Sequence, residues 1–270
     1  MTLVIKNGYV YDPLTRINGE QKDIFIKEGK IVEETSEKDA KVIDVEGKTV
    51  MPGGVDLHSH IAGSKINIGR LLRPEDHRKD VVRRGKNTRG GVGYSCPSTF
   101  ITGYRYAEMG YTSVMEAAMP PIGARHVHEE LNDIPIIDKA AFTLFGNNYF
   151  TLKYVKEGDI EKLKAFIAWL LRATRGYAVK IVNAGGVENW KWGRNVSGLD
   201  GEVEDYDITP RQIIKSLAQA NEELGLPHTI HLHCNNLGMP GNYRITRETM
   251  DMLKDIKAKA GRSATVHVVH

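Results

Sequence analysis

Cysteine is scarce: only Cys96 and Cys234 occur in 270 residues, far apart and in no Cys-x-x-Cys pair. That excludes a disulfide framework and a zinc ribbon, and leaves two thiols whose expected fate is burial. Long apolar runs are lacking too. No stretch approaches the roughly 18 apolar residues of a membrane span, and the N-terminus has no signal-peptide apolar segment, so a cytoplasmic protein without membrane contact is expected. An excess of one charge is also missing. A formal net charge of +3 with no nucleic-acid motif gives no ground for nucleic-acid binding, and any basic surface must be local. What remains, 41% hydrophobic and 26% charged residues, is ordinary for a globular protein with a sizeable core.

Two textures divide the chain. Residues 3–11 read as two short strands about Asn7-Gly8, and 24–26 with 30–32 read as a hairpin about Glu28-Gly29. With further strand over 42–50, residues 1–50 form a small β unit, expected to be the N-terminal part of a β-sandwich with a structural role. From 51 to 270 short apolar strands alternate with amphipathic helices, the pattern of a parallel α/β fold. Strands are expected near 55–59, 112–117, 140–145, 177–182, 229–234 and 264–270, and helices over 100–110, 157–173, 209–224 and 245–260. This predicts a (β/α)8 TIM barrel with about six of its eight units present, incomplete or completed by another chain, and an active site at the strand C-termini.

Ligating side chains gather at those strand ends. In the run MPGGVDLHSH at 51–60, His58 and His60 share a strand face, the geometry two cis ligands of one metal need. Two chance surface histidines are the plain alternative. Lys180 lies inside the apolar strand AVKIV at 178–182, where an unpaired ammonium is costly. A salt bridge or snorkelling would relieve it, and so would conversion of the neutral amine to a metal-bridging carbamate. In IHLHC at 230–234, His233 is nearer the mouth and His231 deeper, as a supporting or core residue. In VHVVH at 266–270, His270 is the mouth residue and His267 is expected to pack against a helix. His126 and His128 read as helix-capping or surface residues.

Between Ser64 and Gly90 lies the one strongly basic stretch, with Lys65, Arg70, Arg73, Arg78, Lys79, Arg83, Arg84, Lys86 and Arg89 against Glu75, Asp76 and Asp80. It is either a solvated face or a lid over the site for an anionic substrate, with Lys65 and Arg70 as candidate substrate-binding residues.

These residues carry a resemblance. The runs at 7–8, 23–31, 42–48 and 51–60 resemble the N-terminal half of the amidohydrolase superfamily, in its hydantoinase and dihydroorotase branch. The runs RPEDH at 73–77, MEAAMPP at 115–121, AAFTLFGNN at 140–148, VKIVNAGGVENWKW at 179–192 and HLHCNNLG at 231–238 are similar to the A subunits of formylmethanofuran dehydrogenases. The resemblance implies two divalent metals, zinc by expectation, held by His58, His60, a carboxylated Lys180, His233 and His270. It also implies an acid/base aspartate with no counterpart up to residue 270, so that no catalytic residue is assigned within these residues. The implied reaction condenses formate with the amine of methanofuran, or hydrolyses the formamide, in methanogenic C1 metabolism. Partner subunits would carry a tungsten or molybdenum pterin and iron–sulfur clusters. A stand-alone cyclic amidase of hydantoinase type and a non-catalytic half-barrel scaffold are the competing expectations.

Overall fold

The computed structural model describes residues 2–34, 40–190, 192–196 and 198–269. The chain forms two compact units, Met1–Gly54 and Val55–His270. In the first, β1 (Thr2–Asp12), β2 (Ile17–Lys27), β3 (Lys30–Val32), β4 (Lys41–Asp44) and β5 (Thr49–Val50) form one sheet of order β3-β2-β1-β4, with β5 also against β1. The Glu28-Gly29 hairpin is present, pairing Lys27 with Lys30 and Ile26 with Ile31. Both turn residues have positive φ, 52° and 76°, as a tight hairpin requires. Asn7-Gly8 is instead a bulge within the single strand β1. Asp23 Oδ1 accepts from the Asn7 backbone N–H and Asp44 Oδ1 from its side-chain amide, and a Cβ at Gly8 would meet Val50 Cγ2 at 2.6 Å. Among the described residues of this unit, Val4 and Val10 are the buried apolar side chains, a thin core.

In the second unit a six-stranded sheet runs in strict chain order: β6 (Gly54–Ser59), β7 (Tyr111–Met119), β8 (Asp138–Leu144), β9 (Ala178–Val182), β10 (Ile230–His233) and β11 (Val266–Val269). Between them lie α1 (Ser64–Leu72), α2 (Thr99–Glu108), α3 (Ala124–Asp133), α4 (Tyr149–Glu157), α5 (Ile160–Thr174), α6 (Gly186–Trp190), α7 (Pro210–Glu223) and α8 (Tyr243–Asp251). The pairs from β7 to β11 are parallel. A sequential parallel sheet with helical crossovers is the curled arrangement of a (β/α)8 barrel, here through six strands.

Local chemistry sets the helix ends. Gly158, with φ 65°, closes α4, and Asp159 accepts from Lys162 N to start α5, so the helix expected from residue 157 begins at Ile160. Thr209 and Gln212 form a capping box ahead of Pro210 in α7. The helix expected to 260 stops at Asp251, and further on the Lys259 N–H donates to Glu222 Oε2 at 2.8 Å.

Strand alternation decides which side chains face the helices. Val179 and Ile181, and Ile230 and Leu232, join the helices in the main core with Leu163, Ile167 and Ile213. Val266 and Val268 pack against the same core. Lys180, His231, His233 and His267 therefore share the opposite face.

Candidate active site

The register aligns Leu144, Lys180, His231 and His267 across four neighbouring strands. Lys180 is 1% exposed and its Nζ has no hydrogen-bond partner. Burial pushes its pKa down to about 7, the Lys65 ammonium adds to that, and Cys234 and Glu116 oppose it. His231 is fully buried, and burial followed by Lys180, His267, His58 and His228 lowers its pKa to about 2, so it is neutral at ordinary pH. Its Nε2 lies 2.8 Å from His58 Nδ1, and its ring stacks on His267 at 4.8 Å. His267 thus faces the site and not a helix, correcting the sequence expectation. Counting the alternation from Val266 and Val268, which pack on the core, gives the observed face.

His58 and His60 lie together, half-buried, with ring centroids 5.8 Å apart. Their backbone is braced by Asp56, which accepts from His58 N at 2.9 Å and from the Tyr106 hydroxyl at 2.8 Å. Burial is the main reason the Tyr106 pKa rises to about 12, keeping that hydroxyl a donor. His60 Nδ1 is 3.0 Å from Glu116 Oε1. His233, half-buried, ends β10 two residues beyond His231, and its carbonyl accepts from Asn183 N. His270 lies outside the described residues. Among the described residues no three His, Cys, Asp or Glu side chains already form a metal-holding group.

Asp56, Tyr106 and Glu116 had no place among the sequence candidates. Glu116 nonetheless carries the signal that marks Lys180, an ionisable residue inside an apolar strand, here VMEAAM at 114–119. His126 is exposed on α3, beside Asn67 and Glu130, and His128 Nε2 lies 2.8 Å from the Thr174 carbonyl.

The basic stretch starts as helix α1, with exposed Lys65 in its first turn and no ion pair for Lys65 among the described residues. Arg70 is spoken for. Its Nε and Nη2 donate to the Pro97 carbonyl at 3.1 and 3.0 Å, and its Nη1 donates to Asn67 Oδ1 and Glu130 Oε1. Fully buried Asp76 accepts from the backbone N–H groups of Tyr94, Ser95 and Cys96. Arg70 ties Pro97 to α1 and Asp76 ties residues 94–96 to the turn that follows α1, while Arg83, Arg84 and Lys86 stay exposed and make no ion pair among the described residues. Arg70→Ala removes about 1.5–3 kcal/mol of charged hydrogen bonding. Tryptic cleavage at Lys79–Arg89 is then expected to speed up by roughly tenfold or more. Unchanged cleavage with a raised KM for an anionic substrate would return Arg70 to substrate binding.

A family model described as "Amidohydrolase family" matches residues 41–270. The chain is 58% identical over 259 residues to "Protein FwdA" of Methanocaldococcus jannaschii, covering 96% of this chain and 45% of that protein. It is 37% identical over 238 residues to the A component of the formyltransferase/hydrolase complex Fhc of Methylorubrum extorquens, covering 88% and 42%. The crystal structure of the FhcABCD complex of that organism with methylofuran superposes with a TM-score of 0.86 at 33% identity, covering 99% of this chain and 47% of the other. The chain thus spans less than half the length of these relatives.

Proposed function

We propose that this chain, which belongs to the amidohydrolase family, carries the metal-binding part of a site that condenses formate with the amine of methanofuran and hydrolyses the resulting formamide. The observation that carries this reading is the Lys180 amine, buried on the site face with no hydrogen-bond partner and a pKa near 7. A buried amine that is neutral near pH 7 can add carbon dioxide, and the resulting carbamate anion would relieve the orphaned polar atom by acting as a two-oxygen ligand. In this reading the donors for two divalent metals, zinc by choice, would be His58 of β6, His60 just after that strand, Lys180 as carbamate, His233 and His270. When bound, such metals supply Lewis acidity, lowering the pKa of a water and polarising the formyl oxygen. Buried and neutral, His231 supports His58 through its Nε2. Lys65, close enough to depress the Lys180 pKa, holds formate or a substrate carboxylate, and exposed Arg83, Arg84 and Lys86 attract a polyanionic cofactor such as methanofuran.

The relatives support the setting. The FwdA identity and the methylofuran-bound FhcABCD structure favour work within a multisubunit complex, here a cytoplasmic formylmethanofuran dehydrogenase of methanogens. Its other subunits would hold the tungsten or molybdenum pterin and the iron–sulfur clusters, and the acid/base aspartate would lie outside these 270 residues. No helix among the described residues is long and apolar enough to cross a membrane.

The test uses the full-length protein in its native complex, stripped of metal and reconstituted with zinc, with and without bicarbonate. Formylmethanofuran hydrolysis is expected to return only when both are supplied. Its return should slow below about pH 7, where Lys180 takes up the proton that blocks attack on carbon dioxide. Full return with zinc alone in carbon-dioxide-free buffer would rule out the carbamate, and activity untouched by stripping would rule out the metal site.

A further inference from the structure

Glu116 is 1% exposed in β7, and its carboxylate is surrounded by nitrogens. Ile61 N donates to Oε2 at 2.8 Å and Ala62 N to the same oxygen at 3.1 Å. Ala118 N donates to Oε1 at 3.2 Å, and His60 Nδ1 sits 3.0 Å from that oxygen. The next N–H along the chain, that of Gly63, donates to Glu130 Oε2. Three consecutive backbone N–H groups after β6 are thus held by two carboxylates from β7 and α3, and the turn leaving the histidine pair is pinned on both sides.

The hydrogen-bond inventory then fixes a proton. A carboxylate only accepts, and three of its neighbours are backbone N–H groups that only donate. His60 Nδ1 must therefore carry the hydrogen, which leaves the Nε2 lone pair as the free ligand position of that ring. The two histidines of the pair are unequal: His60 faces an anionic acceptor, whereas the Nδ1 of His58 faces the neutral imidazole of His231. A histidine hydrogen-bonded to carboxylate is the more basic ligand and the more firmly oriented one.

We propose that Glu116 is the positioning residue of the site: it fixes the tautomer and orientation of His60 and strengthens that ring as a metal ligand. This rests on the metal-site reading above. Glu116→Gln is the sharp probe, because its NH2 group must face either Ile61 N and Ala62 N or Ala118 N and His60. In the first orientation donors oppose donors. In the second, His60 can adapt only by moving its hydrogen to Nε2, where it blocks ligation.

The experiment measures zinc affinity by chelator competition in the full-length protein within its complex, together with the visible spectrum of the cobalt(II)-substituted form. Four versions are compared: unaltered, E116Q, H60A and the double variant. Expected are a roughly 10- to 100-fold weaker affinity and an altered cobalt spectrum in E116Q, with no further loss when E116Q is added to H60A. Equal loss from E116Q with and without His60 would make Glu116 merely structural and overturn the proposal. Loss in H60A with none in E116Q would overturn it while leaving the metal site standing; no loss in H60A would sink the metal-site reading itself. If E116Q fails to assemble, E116D, which keeps a carboxylate one methylene shorter, enters the same cycle with the same expectations at smaller amplitude.

Discussion

Lys180→Met is expected to abolish formamide hydrolysis and metal retention while making the metal-free protein more stable. The loss follows from the proposed carbamate, since methionine fills the space but cannot add carbon dioxide. If Lewis acidity contributes several kcal/mol to the reaction, turnover falls by about a thousandfold or more. The gain follows from linkage. Burial depresses the folded-state pKa from 10.5 to about 7, so between those values the unfolded chain binds the extra proton and stability rises with pH. Below about pH 7 the ammonium is present in both states and its desolvation penalty is at full size. Methionine removes that penalty, on the order of a few kcal/mol, so the metal-free variant should melt higher than the parent at pH 6.5. Its advantage should shrink toward pH 10. Thermal melts of the metal-free full-length protein at both pH values, beside zinc content and turnover, check both halves. A variant that loses stability together with activity at pH 6.5 would refute the orphaned-amine account.

The largest expected loss of stability comes from Arg262→Ala. Arg262 Nη1 and Nη2 donate to the two oxygens of Glu222 at 2.8 and 2.7 Å, and Lys259 N donates to the same carboxylate. Glu222 is 2% exposed at the end of α7, and the Arg262 side chain is 12% exposed. Removing the arginine strands a buried carboxylate, and breaking such a pair costs about 3–5 kcal/mol. This fork holds the segment that leads into β11, so its loss also loosens the strand that stacks His267 on His231. A large drop in the urea midpoint of Arg262→Ala is expected, with a double Arg262→Ala, Glu222→Ala variant less damaged than the two single losses summed. Additive losses would mean that the pair is not coupled.

The parts of the fold that were legible in the sequence are those governed by local pattern. The six strands of the second unit fall where short apolar runs place them, and Thr209-Pro210 opens α7 as its capping chemistry dictates. Lys180 was legible because a lysine inside AVKIV needs a reason. What failed depends on distant partners. Asn7-Gly8 has the composition of a hairpin turn, yet Asp23 and Asp44 turn it into a bulge. Arg70 stood in the basic run as a substrate-binding candidate, and its acceptors 27 and 60 residues away could not be read from that run. Helix α1 lay unread within the long basic connection, although Ile68, Leu71 and Leu72 stand at helical spacing; all three are exposed.

The strict chain order of the six-stranded sheet bears on how the protein is made. On the ribosome each strand emerges after the neighbour it pairs with, so the sheet can grow by addition at one edge without waiting for a distant segment. Of the proposed ligands, His58 and His60 are synthesised before Lys180, which follows more than a hundred residues later, and His233 and His270 come after it. Under the proposed donor set, a nascent chain would hold an incomplete group of ligands until the late strands have emerged, and tight capture of metal would be deferred until they dock.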